Sequence, residues 1–131
     1  MKKIGILNQP LSAVVSGLGH MDKLVVADAG LPIPSETERI DLALAEGIPA
    51  FLETLRVILR EMEVETAVVA EEMLSVSPQV YAGIQELLGD VPINTVPHDT
   101  FKRETTAARA VVRTGEFTPY ANIILVAGVV F

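Results

Sequence analysis

The stretch that decides the fold is KLVVADAGLPIP, residues 23–34. Its apolar run, residues 24–27, has the character of a strand buried in the centre of a sheet. The run ends where Asp28 begins a loop in which Pro32 and Pro34 keep the chain extended. Because open α/β sheets bind ligands at the ends of their strands, Asp28 is a candidate binding residue. An equally simple interpretation is a turn in which the Asp28 side chain accepts a hydrogen bond from nearby backbone.

On both sides of this stretch, helix-like and strand-like patterns alternate, which is typical of an α/β fold. Upstream, a strand is predicted at residues 3–7. Asn8 then predicts an N-cap, with Pro10 in the first helical turn and Gly19 as the C-cap. Downstream, helices are predicted at residues 50–62, 77–89 and 99–105, and strands at 66–70, 93–96, 110–113 and 123–131.

The sheet is predicted to be mixed. The polar segment 114–122 between the last two strands is too short for a helical crossover, so these two strands are expected to be antiparallel. We therefore predict an α/β fold, with residues 1–131 forming a single domain whose mixed β-sheet is flanked by helices. The order of the strands does not follow from the sequence.

Composition restricts the functions that are compatible with the chain. Half of its 131 residues are hydrophobic and 21% are charged, as expected of a globular domain with a sizeable core. The net charge of -7 opposes non-specific binding to nucleic acid and gives no help in binding a phosphorylated ligand. The absence of cysteine excludes disulfides and thiolate catalysis. A neutral small molecule is the ligand that fits this composition best.

The ends of the chain predict neither a signal peptide nor a membrane span. Lys2 and Lys3 precede apolar residues, but Asn8 and Pro10 interrupt them and no small-residue cleavage site follows. The longest apolar run, 123–131, is too short to cross a bilayer. We therefore expect a cytoplasmic protein without a membrane partner, and we expect the apolar C-terminal strand to be buried, at a subunit contact if not within the chain.

Histidine occurs only twice. His20 follows the predicted end of the first helix, so it is either a solvated residue favoured by the helix dipole or a general acid/base. His98 flanks the predicted helix 99–105, for which Asp99 is the better cap, and position alone favours a structural role for His98. A metal site made by these histidines and Asp28 would lack any short His-x-x-His spacing, so no metal is predicted. The Gly17-Leu18-Gly19 turn follows a helix and lacks the third glycine of a dinucleotide site, so no such cofactor is predicted.

The loop at residues 113–122 combines charged, aromatic and amide side chains between two apolar strands. Loops on rigid scaffolds often carry function. If the loop is extended, Tyr120 and Asn122 lie on one side and present an aromatic ring, a hydroxyl and an amide together. This set suits a sugar, which has apolar C–H faces as well as hydroxyls. An ordinary hairpin loop is the alternative.

Four stretches, taken together and in order, resemble the D-ribose pyranase family: GILN at 5–8, LGHMDK at 18–23, ADAGLPIP at 27–34, and residues 113–122 with the strand that follows. The resemblance covers the whole chain. It implies a cofactor-independent isomerase that interconverts the pyranose and furanose forms of D-ribose by ring opening and reclosure, and so feeds ribose utilisation. It also implies a homo-oligomeric ring of ten subunits. A fucose-type mutarotase and a non-catalytic monosaccharide-binding module remain alternatives.

The resemblance also implies roles for individual residues. His20 corresponds to the family's proton donor. The residues implied to contact the sugar are Asp28, His98, Tyr120 and Asn122 through their side chains, and Ala121 through its main chain.

The spacing of His20 and Asp28 raises a geometric question. A fully extended path of eight residues spans up to ~26 Å, far more than one monosaccharide. Either the turn at residues 21–23 folds His20 back toward Asp28, or the two residues that serve one sugar come from different subunits. We favour a pocket at a subunit boundary.

Overall fold

The computed structural model describes all residues, 1–131. Its strands are β1 (Lys23–Ala27), β2 (Glu38–Asp41), β3 (Val64–Ala70), β4 (Ile93–Val96), β5 (Ala110–Arg113) and β6 (Ile123–Ala127). Its helices are α1 (Gln9–Gly17), α2 (Phe51–Leu59), α3 (Glu72–Val76), α4 (Pro78–Leu88) and α5 (His98–Glu104), followed by a 3₁₀ turn at Thr105–Ala107.

The six strands form one mixed sheet in the order β2-β5-β1-β6-β3-β4. β1 lies at its centre, paired in parallel with β5 and antiparallel with β6. The mixed sheet and the α/β class are as predicted. β5 and β6 do run in opposite directions, but β1 lies between them, so the short connection crosses over one strand and does not form a hairpin.

Successive side chains of the central strands point to opposite faces of the sheet, so the interior is divided into two hydrophobic cores. Leu24 and Val26 of β1 face the larger core, which is covered by α1, α2, α3 and α4. Val25 and Ala27 face a smaller core that holds Phe101 of α5. Both faces of β1 are fully buried, as expected of a continuous apolar run.

Several predicted boundaries change. The strand predicted at residues 3–7 does not form, because Gly5 adopts a φ of 78° and the N–H of Ile6 donates to the Glu61 carboxylate instead of to a strand. The helix α1 is capped by Asn8 as predicted, but it ends with Leu18 and not Gly19 at the C-cap. The strands β4 and β5 have the predicted bounds.

The C-terminal strand ends at Ala127, four residues earlier than predicted. The side chain of Phe131 is fully exposed and that of Val130 is 85% exposed, so the expected burial of the C-terminus does not occur within one chain. No helix combines the length and the apolar character that crossing a membrane requires.

Candidate functional site

Asp28 and Asn122 are joined by two hydrogen bonds at the carboxyl end of β1. The Asp28 N–H donates to Asn122 Oδ1 at 2.8 Å, and Asn122 Nδ2 donates to Asp28 Oδ2 at 2.9 Å. The other carboxylate oxygen, Oδ1, accepts from the Gly30 N–H at 2.9 Å. The turn interpretation of Asp28 is therefore confirmed, and its position at a strand end keeps it a candidate binding residue.

His98 and Tyr120 form a second pair, with ring centroids 5.0 Å apart and ring planes at 88°. The Nδ1 atom of His98 is buried and has no hydrogen-bond partner. A buried polar atom without a partner is costly, and a bound hydroxyl group is one way to satisfy it. The predicted cap by Asp99 is wrong: α5 begins at His98, whose N–H donates to the Glu72 carboxylate at 3.0 and 3.1 Å.

The backbone between these two pairs is tightly folded. Tyr120 has a φ of 61°, and the Asn122 N–H donates to the Tyr120 carbonyl at 2.8 Å. The extended arrangement that would place Tyr120 and Asn122 side by side is therefore not present. Ala121 is fully buried in the larger core, and its N–H makes a long contact of 3.4 Å to the Thr118 carbonyl.

We call Asp28, Asn122, His98 and Tyr120 the Asp28 cluster. An open cleft of about 500 Å³ adjoins this cluster at Asp28. Four of its eight lining residues are polar or charged, and Phe117, which is 63% exposed, supplies an aromatic face. Asp28 is the member of the predicted sugar-contacting set that lines the cleft. The lining residues are Asp28, Ala29, Gly30, Arg113, Glu116, Phe117, Thr118 and Pro119.

Glu116, to which the sequence assigned no role, organises the cleft. Its carboxylate accepts from the Thr118 hydroxyl at 2.6 Å and from the Phe51 N–H at 3.1 Å, so it caps α2 from a distant part of the chain. Its backbone carbonyl accepts from the Ala29 N–H at 2.8 Å. Burial raises the pKa of the Glu116 carboxyl, but the hydrogen bonds from Thr118 and Phe51 outweigh it and leave that pKa below its ordinary value.

His20 lies at the opposite end of β1. Its Nε2 is hydrogen-bonded to Glu65 Oε2, and its side chain is about half exposed. The turn that carries it is pinned to the end of β6, since the Met21 N–H donates to the Ala127 carbonyl at 2.9 Å and Met21 has a φ of 70°. A second open cleft of about 500 Å³, lined in part by the C-terminal residues 127–131, adjoins His20.

The turn at residues 21–23 does not fold His20 back toward Asp28. Asp22 is hydrogen-bonded to Ala127 at one end of β6, and Asp28 is hydrogen-bonded to Asn122 at the other end. Asp22 and Asp28 are six positions apart along an extended strand, so at about 3.3 Å per residue they are separated by roughly 20 Å. His20, Asp28 and His98 therefore do not meet within one chain, and no group of three or more acidic or histidine side chains is placed to hold a metal ion.

The mixed sheet, with carboxylate, amide, imidazole and phenol side chains gathered along one of its ends, defines a small α/β protein with a candidate binding site at the carboxyl end of β1. The chain belongs to the RbsD / FucU transport protein family, whose family model matches residues 1–130.

Curated relatives and solved structures match over nearly the whole chain. A protein named D-ribose pyranase from Clostridium perfringens strain SM101 is 52% identical, and one from Chloroflexus aggregans is 56% identical, each over 100% of both chains. The structure of Bacillus subtilis RbsD complexed with D-ribose aligns with a TM-score of 0.97 at 47% identity, over 100% of both chains. The fucose mutarotase from Streptococcus pneumoniae in complex with L-fucose aligns with a TM-score of 0.80 at 26% identity, over 94% of both chains.

Proposed function

We propose that this chain is a D-ribose pyranase, a sugar-ring isomerase that interconverts the pyranose and furanose forms of D-ribose. The observation that carries this function is the identity of 52–56% to D-ribose pyranases over their full length. The ribose complex also aligns better than the fucose mutarotase, with TM-scores of 0.97 and 0.80. A fucose-type mutarotase is therefore the less favoured alternative.

The reaction needs proton transfers and no net change in composition. In ring opening, the bond from the anomeric carbon to the ring oxygen breaks, the ring oxygen gains a proton, and the anomeric hydroxyl loses one to give the aldehyde. In reclosure, a different hydroxyl adds to the aldehyde carbon and loses its proton while the carbonyl oxygen gains one. Positioned general acid/base catalysis of this kind contributes ~10²–10⁴-fold.

In this proposal the two ends of β1 have different tasks. Asp28 and Asn122, each fixed by the other, bind sugar hydroxyls, while Tyr120 offers a ring face and His98 offers its unpartnered Nδ1. The main chain at Ala121 adds a polar contact. His20 is the proton donor.

The separation of these ends supports an assembly in which one sugar lies at a subunit boundary, with His20 supplied by one subunit and the Asp28 cluster by its neighbour. The exposed apolar C-terminus beside His20 is a surface that such a neighbour would cover. We propose a homo-oligomer, a decamer as in the family resemblance, that works in the cytoplasm in ribose utilisation, with residues 1–131 acting as a single domain.

Exchange NMR on D-ribose tests the function. The wild-type protein is expected to speed exchange between pyranose and furanose signals, and His20→Ala is expected to lower that rate ~10²–10⁴-fold while its circular dichroism and thermal midpoint stay unchanged. L-fucose serves as the comparison substrate.

Each other result assigns the protein differently. Faster anomer exchange of L-fucose without faster ring exchange of ribose would identify a mutarotase. Ribose binding without faster exchange would identify a binding module. Wild-type rates in folded His20→Ala would remove His20 from the mechanism.

A further inference from the structure

We infer that Glu65 is a positioning residue for His20, and that the nitrogen of His20 that exchanges protons with the sugar is Nδ1. The inference rests on the proposed role of His20 as proton donor. It follows from the one hydrogen bond that the His20 side chain makes within the chain, from Nε2 to the Glu65 carboxylate.

The pair bridges two elements that are distant in sequence. His20 precedes β1, whereas Glu65 is the second residue of β3, 45 positions later. The end of β6 lies between them, because Val126 pairs with Lys23 on one side and with Thr66 on the other. The contact therefore depends on the sheet order, and the local sequence around His20 does not predict it.

Both partners are held by fixed backbone. The turn that carries His20 is tied to Ala127, as described above. On the other side, Gly128 follows β6 directly, and a Cβ there would lie only 3.3 Å from the Cβ and the backbone nitrogen of Glu65. The missing side chain at Gly128 lets the chain after β6 pass close to the backbone of Glu65.

The chemistry of a carboxylate decides which imidazole nitrogen is available. An ionised carboxylate only accepts hydrogen bonds, so Nε2 keeps its hydrogen whether the ring is neutral or charged. The proton that moves is then the one on Nδ1, which has no partner within the chain. The Nδ1 proton is delivered to the ring oxygen as the ring opens and is regained from the attacking hydroxyl on reclosure. The anomeric hydroxyl releases its own proton to solvent water on opening, and the carbonyl oxygen takes a proton back from water on reclosure.

Orientation, and not stability, is the expected contribution of this pair. Its side chains are 52% and 48% exposed, and ion pairs this exposed add little to the free energy of unfolding. Fixing the tautomer and the plane of a catalytic histidine has a much larger effect on rate. Losing the partner that orients a metal-bound histidine typically lowers activity about 10–100-fold, and we expect the same range for His20.

The test compares Glu65→Ala and Glu65→Gln with Glu38→Ala. Glu38 is a matched control, because it is an exposed carboxylate on a strand, its side chain makes no hydrogen bond, and it lies outside the cleft that adjoins His20. For ribose ring exchange, Glu65→Ala is expected to lower kcat about 10–100-fold with little change in KM, and Glu65→Gln, which keeps an acceptor oxygen, to recover part of the loss. Glu38→Ala is expected to match the wild type.

A spectroscopic signature and a double variant complete the test. In the wild type, nitrogen-15 NMR should show a hydrogen-bonded proton on His20 Nε2, which Glu65→Ala should lose and Glu38→Ala should keep. The double variant His20→Ala with Glu65→Ala should be no slower than His20→Ala alone, because Glu65 acts through His20.

Two results overturn the inference without touching the proposed function: full activity in Glu65→Ala while His20→Ala is inactive, or a double variant slower than His20→Ala. Wild-type activity in His20→Ala overturns the proposed role of His20 itself, and with it this inference.

Discussion

Asn122 shows how one buried amide can connect strand ends that are far apart in sequence. It is 1% exposed, and its side chain uses both its oxygen and its nitrogen on Asp28, which lies 94 positions away. The tendency of open α/β sheets to bind ligands at strand ends was sufficient to select Asp28 from the sequence as a candidate binding residue. The reciprocal pairing with Asn122 was not predictable, because it depends on β6 lying beside β1.

Truncating Asn122 should therefore affect stability and binding together. Asn122→Ala leaves the Asp28 N–H and one carboxylate oxygen without a partner, so we expect a loss of about 1–3 kcal/mol in the free energy of unfolding and a higher KM for ribose. Asn94→Ala, at an exposed position of β4, is the control and should change neither quantity. Denaturant unfolding and exchange kinetics measure both effects, and unchanged values in Asn122→Ala would contradict the assigned pairing.

Glu116 makes stability depend on pH. Its pKa is lowered in the folded protein from an ordinary value of 4.5, so its stabilisation is complete above pH 4.5 and is lost as pH falls through the lower folded value. We expect Glu116→Gln to be less stable than the wild type at neutral pH, with the difference shrinking below pH 4.5. The control is Glu46→Gln, at an exposed side chain without a hydrogen bond. A difference that stays constant in thermal unfolding from pH 3 to 7 would contradict this role.

At the scale of elements, the buried strands and the partly exposed β4 were predicted, whereas the exposed edge strand β2 was missed. The strands β1 and β5 are apolar on both faces, so their sequences identify them without knowledge of their neighbours. β2 was not predicted, because three of its four residues are exposed and it joins the sheet only at an edge. The strand predicted at 123–131 was too long, since an apolar sequence alone does not reveal that β6 loses its pairing partners β1 and β3 after Ala127.

Gly115 follows β5 and packs against the loop that precedes α2. Its N–H donates to the Pro49 carbonyl at 2.9 Å, and an added Cβ would lie 2.4 Å from the Ala45 carbonyl oxygen and 2.5 Å from that of Ile48. Backbone cannot move aside as a flexible side chain can. The glycine thus allows a close approach of two backbone segments next to the Glu116 cleft.

We expect Gly115→Ala to destabilise the protein by about 1–3 kcal/mol, which is the usual cost of overpacking. Gly17→Ala is the matched control, because no atom lies within 4 Å of the added Cβ there, and it should cause no loss. Thermal and denaturant unfolding of both variants provide the comparison. Equal stability of the two variants would contradict the close approach at Gly115.

At the scale of the whole molecule, the central result is the distance between the two halves of the candidate site. The Asp28 cluster and His20 lie at opposite ends of β1, roughly 20 Å apart by the length of the strand. The spacing of His20 and Asp28 in the sequence raised the question of whether the turn at residues 21–23 brings them together. In the fold, this turn does not bring His20 to Asp28. How subunits pack was beyond the reach of sequence reasoning, because it depends on surfaces contributed by many separate elements.

Complementation between inactive variants tests this account most directly. His20→Ala and Asp28→Asn are each expected to be inactive as homo-oligomers. Unfolded together and refolded, they should form mixed oligomers in which some boundaries carry an intact His20 facing an intact Asp28, and ribose ring exchange should reappear. Light scattering must first show that each variant assembles as the wild type does. If mixed oligomers form and remain inactive, His20 and Asp28 do not serve one sugar from neighbouring subunits, and the account is contradicted.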